Sequence, residues 1–257
     1  MTGIYPMLFI TLPVSLLVYG LYIYFGYRRD ARYLLLLLPG LPLSALVNIA
    51  VKAPIGLAVG DVSGYGVGFA IGMPVLLLLF YALLAPVTEE AIKISPLLVP
   101  QIRRLARPGK LDALWTGFAL GASFGLGEAI FLAIQFNTVP QYASTPWYLF
   151  TGFLIERFLT IYAHGVMTAI FTSFLFQGWG KALLGYLSAI SMHFVVNAGA
   201  ALLQVGIMDA NTVFLLEIVT VMAFVVIFEM VRRRFKQMEP VEEITGEVVF
   251  DADEKEL

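Results

Sequence analysis

The chain contains no cysteine, only two histidines and few charges: Asp, Glu, Lys and Arg together make up 13% of its 257 residues. Without cysteine there are no disulfides, no thiolate-held zinc or iron–sulfur clusters, and no thiol nucleophile. Soluble globular domains carry about 25% charged residues, so this chain has too few polar side chains to face water on every side. A formal net charge of −2 offers no basic surface to nucleic acid, which is excluded as a partner. What is abundant is apolar. Hydrophobic residues make up 60% of the chain and the mean hydropathy is +0.86, the composition of an integral membrane protein in contact with a lipid bilayer.

Apolar runs of about 20 residues are long enough to cross a hydrocarbon core of about 30 Å. They recur at residues 4–27, 33–51, 67–85, 111–136, 148–176, 182–205 and 212–231, which predicts an all-α, polytopic transmembrane bundle of about seven spans. The first run lacks a basic leader and is followed by Arg28, Arg29 and Arg32, so it reads as a span with a stop-transfer cluster rather than a cleavable signal. Further basic clusters fall at Arg103, Arg104, Arg107 and Lys110, at Lys181, and at Arg232, Arg233, Arg234 and Lys236. The intervening segments are nearly free of Lys and Arg, apart from Lys52. The positive-inside rule then puts the N-terminus outside and the C-terminus inside.

Residues 67–99 would run roughly 50 Å as one straight helix, longer than the membrane core, and Pro74, Pro86 and Pro96 punctuate them. The expectation is a crossing that ends near Ala85, then a short broken helix from Pro86 toward Pro100. Residues 1–236 read as one membrane domain, with its motif-bearing core at 86–201, and the acidic residues 237–257 read as a disordered cytoplasmic tail.

Ionisable side chains inside spans are costly and point to function by default. Glu89, Glu90 and Lys93 follow Pro86; Glu128 lies in the fourth run, His164 in the fifth, and His193 with Asn197 in the sixth. At helical spacing Lys93 can reach either Glu89 or Glu90 and leave the other free as a base. The same pair could instead satisfy a helix N-terminus after a proline. Glu128 is flanked by Gly121, Gly125 and Gly127, small residues that let helices approach and would set this carboxylate against protein rather than lipid. It could also stay protonated as a buried hydrogen-bonding group. His164 with Thr168, and His193 with Asn197, are i,i+4 pairs that could hold a water or a carbonyl oxygen, or merely join helices. If these groups converge, they support activation of water: a carboxylate takes its proton, histidines orient it or hold a metal, and Asn197 donates to a developing oxyanion. Glu156 and Arg157 read as a snorkelling pair, with a role in gating or in positioning His164 as the alternative, and Glu217 and Glu229 as structural or interfacial.

In order, Glu89-Glu90-x-x-Lys93, then Leu111-Asp112-Ala-Leu-Trp-Thr-Gly117 leading to Phe124-x-x-x-Glu128, then Arg157 ahead of His164-x-x-x-Thr168, then His193-x-x-x-Asn197, resemble the PrsW family of intramembrane proteases. That family falls in the wider group that includes the type II CAAX prenyl endopeptidases, and YhfC-type proteases are also similar. Ala129 stands where PrsW-like members carry Asn, and Glu128 stands where CAAX endopeptidases carry His, so a prenylated substrate is the weaker implication. The resemblance implies a peptide hydrolase that cuts a membrane protein or membrane-associated peptide in the plasma membrane of a prokaryote. It implies Glu89 as general base, Glu90 as its partner with Lys93 orienting both, and Glu128, His164, His193 and Asn197 as the water and oxyanion site. Glu128, His164 and His193 would form a zinc set, but the His-Glu-x-x-His spacing of zinc proteases is absent, so the reading leans against an obligatory metal. Two other functions fit the same residues: a catalytically silent scaffold of the same fold, and a proton-coupled transporter, though no internal repeat is visible.

Overall fold

The computed structural model describes residues 1–64 and 72–238, and these are almost entirely helical. The only β pairing among them is an isolated bridge between Thr2 and Pro146. Seven helical segments are long and apolar enough to cross a membrane. The first is α1 (Tyr5–Gly26). The second, Ala31–Ser63, joins a 3-10 stretch (Ala31–Leu37), α2 (Leu41–Val47), a π turn (Asn48–Lys52) and α3 (Ala53–Ser63). The third consists of α4 (Val75–Lys93) and a 3-10 turn (Ser95–Leu98), and is followed by the short α5 (Pro100–Ala106). Then come α6 (Lys110–Thr138), the short α7 (Pro140–Ser144), α8 (Thr151–Leu175), α9 (Trp179–Gln204) and α10 (Ala210–Gln237).

Two of the expected boundaries move. The second span runs to Ser63 rather than residue 51, because the chain stays helical through the π turn at Asn48–Lys52 and on past Pro54. The break expected at Pro86 falls after Lys93 instead, so Glu89, Glu90 and Lys93 belong to the crossing itself. Pro86 is buried inside α4, and its turn is braced: the Thr88 hydroxyl donates to the Leu84 carbonyl at 2.6 Å, and the Tyr186 hydroxyl of α9 donates to the Val87 carbonyl at 2.7 Å. Neighbouring helices and threonine hydroxyls commonly support proline at membrane depth in this way. The start of the expected third span (67–71) and the acidic tail from residue 239 lie outside the described residues.

α6 and α8 form the axis of the bundle; 72% of each one's apolar window is buried, against 22% for α4, α9 and α10. Glycine makes their contact close. A Cβ on Gly121 would lie 2.2 Å from the His164 carbonyl oxygen, one on Gly117 2.6 Å from that of Thr168, and one on Gly125 2.9 Å from Ile161 Cα. The small-residue spacing therefore does what the sequence predicts: Glu128, one turn beyond Gly125, faces α8. On one side of this axis, Trp115, Phe118 and Phe228 stack with the tyrosines of α1 into an aromatic core. On the other, α9 packs on α8 and carries α4 along its flank.

Candidate active site

Between these helices lies a ladder of buried charged and polar groups. Lys52, from the π turn, donates to Glu89 Oε1 at 2.6 Å. On α4, Lys93 donates to Glu90 Oε1 at 2.5 Å and lies 2.6 Å from His164 Nδ1 on α8. His193 Nδ1 on α9 lies 2.7 Å from the same Glu90 oxygen. His164 Nε2 lies 3.0 Å from Glu128 Oε2 on α6, and Arg157 Nη1 on α8 donates to that oxygen at 2.9 Å. Arg157 also pairs with Glu156. The rings of His164 and His193 meet edge to face at 5.2 Å, and the Lys93 ammonium sits 4.8 Å over Phe124.

Burial makes the pairing obligatory. Glu89, Glu90, Lys93, His164 and His193 are each at most 1% exposed. A charged residue at mid-membrane costs about 2.5–3.5 kcal/mol by insertion scales. Three or four left unpaired would consume a net stability of about 5–15 kcal/mol. Each cation accordingly meets a carboxylate, yet the four carboxylates of the ladder (Glu89, Glu90, Glu128, Glu156) outnumber its three cations (Lys52, Lys93, Arg157), a formal excess of one negative charge.

The partners fix the histidine tautomers. An ammonium only donates, so His164 accepts from Lys93 through Nδ1 and donates from Nε2 to Glu128. A carboxylate only accepts, so His193 donates from Nδ1 to Glu90, and its Nε2 lies 3.7 Å from Glu89 Oε2. Glu89 Oε2 is itself buried without a hydrogen-bond partner, as is Glu90 Oε2. With a neutral His193 these are two lone-pair groups 3.7 Å apart, which repel unless a proton donor or a cation is shared by both.

An ion fits this arrangement. Glu89, His164 and His193 offer ligand atoms that all lie within 4.8 Å of one another, and two imidazoles with one carboxylate are a zinc-type donor set. His193 has the outer hydrogen bond to a carboxylate that ligating histidines characteristically make. His164 is engaged at both ring nitrogens, by Lys93 at Nδ1 and by Glu128 at Nε2, so it would hold an ion only on release from one of them. The expected ligand set named Glu128 in place of Glu89; here Glu128 is bound to His164 Nε2.

All four motif-bearing elements expected from sequence thus meet, with differences in pairing. Lys93 holds Glu90 and His164, while Glu89 is held by Lys52. The sequence signal for Lys52 was its isolation, as the one base in an otherwise base-free stretch. Arg157 is buried against Glu128 and does not snorkel. Thr168 is buried with its hydroxyl unpartnered and takes no part in the ladder. Asn197, one turn beyond His193, lines a cavity of about 260 Å³ together with Glu128, Arg157 and Glu217. Asp112 sits apart at the start of α6, accepting from Tyr27 and Tyr33. Glu229 pairs with Arg232 and Arg233, in keeping with a structural role.

No curated protein and no solved structure matches the chain. A family model described as PrsW family intramembrane metalloprotease matches residues 46–230, a stretch that takes in Lys52 and every other member of the ladder. With seven membrane-crossing helices around that ladder, the chain belongs to the PrsW family and is an integral, multi-pass intramembrane protease.

Proposed function

We infer that the chain hydrolyses a peptide bond of a membrane protein or membrane-associated peptide, with the reacting water between Glu89 and His193. The observation that carries this reading is the approach of the buried, unpartnered Glu89 Oε2 to His193 Nε2, at 3.7 Å. A water there gives one hydrogen to Glu89 and the other to His193, which leaves its oxygen free to attack a carbonyl carbon. Lys52 occupies Glu89 Oε1, so Oε2 is the oxygen that receives the proton. Glu90 fixes the tautomer of His193, and Lys93 ties Glu90 to His164. On the far side, Arg157 holds Glu128, which holds His164. Asn197, in the adjoining cavity, is the amide that donates to the developing oxyanion.

Glu89, His193 and His164 are the residues that would hold a metal ion. When bound, a zinc-type ion supplies Lewis-acid stabilisation of the charge that develops on the carbonyl oxygen. The excess negative charge of the ladder favours such a cation. The same reading sets this single membrane domain in the plasma membrane of a prokaryote.

The test is cleavage of a membrane-spanning peptide by the purified protein in liposomes. Glu89→Gln keeps the shape of the side chain and an oxygen for Lys52 but removes the base, so the rate falls by about 10²–10⁴-fold, far more than the loss of stability from the weakened Lys52 pair accounts for; retained cleavage would overturn the assignment of Glu89. Zinc content measured beside activity, in wild type and His193→Ala, decides the ion: loss of both together supports a held metal, and full activity in metal-free protein argues for Glu89 and His193 acting on water alone.

A further inference from the structure

The cavity beside the ladder lies between α6, α8, α9 and α10, and its lining joins Glu128 and Asn197 to Glu156, Arg157, Thr160 and Glu217. Its volume of about 260 Å³ is below the ~300–1,000 Å³ of pockets that hold drug-sized ligands, so it suits one or two side chains. Its charge is lopsided. Arg157 is already engaged by both Glu128 and Glu156, whereas Glu217 makes no ion pair among the described residues and accepts only from the Thr160 hydroxyl, at 3.3 Å. Three carboxylates against one guanidinium leave a formal charge of −2, and aliphatic side chains of α9 and α10 line the remainder. That combination, an apolar shaft with an uncompensated carboxylate, is complementary to a long cationic side chain, whose methylenes pack on apolar surface while its head pairs with the acid.

We propose that this cavity is a specificity pocket for an arginine or lysine of the substrate lying within one or two residues of the cut bond, and that Glu217 is the residue that recognises it. The proposal rests on the proteolytic reading, since the pocket gains its meaning from opening onto Glu128 and Asn197. It also gives a use to an acid on the last span that the ladder does not engage. A partly buried carboxylate with no ion-pair partner is costly, and a cation brought by something else would favour its charged form.

The experiment uses the full chain in liposomes and one apolar membrane-spanning peptide carrying a single Arg, Leu or Glu at successive positions. Wild type prefers Arg over Leu at one position next to the mapped cut, by about 10- to 100-fold in kcat/KM, the worth of one charge-assisted hydrogen bond. Glu217→Gln brings that ratio close to one, and Glu217→Lys makes the Glu peptide the better substrate than the Arg peptide; if Glu217→Lys does not accumulate, the near-isosteric Gln variant suffices. An Arg/Leu ratio of one at every position in wild type, or a ratio that survives Glu217→Gln, overturns the pocket. Binding of the same peptides to Glu89→Gln, followed by cross-linking, separates the two readings. Arg-selective binding that Glu217→Gln abolishes, with no hydrolysis by wild type, upholds the pocket and sinks the protease chemistry. Hydrolysis without charge preference does the reverse.

Discussion

Lys52 shows how much a single side chain can carry at membrane depth. Its ammonium holds one oxygen of Glu89 while the other oxygen stays buried and open toward His193. Removing one partner of a buried ion pair costs about 3–5 kcal/mol, and the 18% exposure of the Lys52 side chain sets this case at the low end. Lys52→Met should therefore lower the thermal midpoint in detergent by several degrees and reduce cleavage at least about tenfold, since Glu89 is left both unpaired and free to turn. Lys52→Arg keeps the charge, so it should recover most of the stability and less of the rate, because a planar fork replaces a point donor. Equal rates for Met and wild type would remove Lys52 from the site. At this scale the sequence was legible where burial alone gives the signal. Glu89, Glu90, Glu128, His164 and His193 stand out because ions inside apolar runs are expensive. Lys52, Arg157 and Glu217 stood out less, because position on a helix does not reveal which neighbouring helix a side chain meets. The partner of Lys52 is 37 residues away and that of Arg157 is 29 away.

Among the elements, the contact of α6 with α8 sets the geometry of the site. At Gly121 a methyl group would have to occupy space 2.2 Å from a backbone oxygen, that of His164 itself, so no side-chain rotation can relieve the clash. Gly121→Ala should drive the two helices apart, destabilise the protein by about 1–3 kcal/mol or more, and break the 3.0 Å contact between His164 and Glu128. Cleavage should fall about as far as in His164→Ala. Gly152→Ala is the control, since nothing lies within 4 Å of its added carbon, and it should be silent in both unfolding and cleavage. A normal rate in Gly121→Ala would mean that the α6–α8 spacing does not position His164. Glycine spacing made this interface readable in advance. Pro86 misled for a definite reason: proline predicts a break from local sterics, whereas Tyr186 and Thr88 brace the turn through contacts that a local pattern does not contain. The π turn was likewise invisible, although such turns recur where a helix must re-aim a side chain, as this one does with Lys52.

For the whole molecule, the spans were the most legible feature, because length and hydropathy fix them almost alone. Seven crossings make every second junction share a side, and all four basic clusters fall at such junctions: after α1, around α5, between α8 and α9, and at the end of α10. The positive-inside rule then predicts that an export-dependent phosphatase fused after Gly64, Thr145 or Gly206 is active, and that one fused after Arg29, Gly109, Gln177 or Gln237 is silent. The opposite pattern would reverse the orientation while leaving the site unchanged. The convergence of four separate segments on one ladder was readable only as a possibility, since it depends on how the helices pack.

The unequal burial of the helices has a consequence for where the enzyme works. His164 and Glu128 ride on the enclosed axis, whereas Glu89, Glu90 and His193 ride on α4 and α9, whose outer flanks face acyl chains. On the proposed function, hydrocarbon is the outer wall of the catalytic centre, so a thicker or thinner bilayer should tilt α4 and α9 more than the enclosed axis of α6 and α8. Lipid chain length should therefore change the gap between Glu89 and His164 much as a substitution would, and turnover should follow the membrane in which the protein resides.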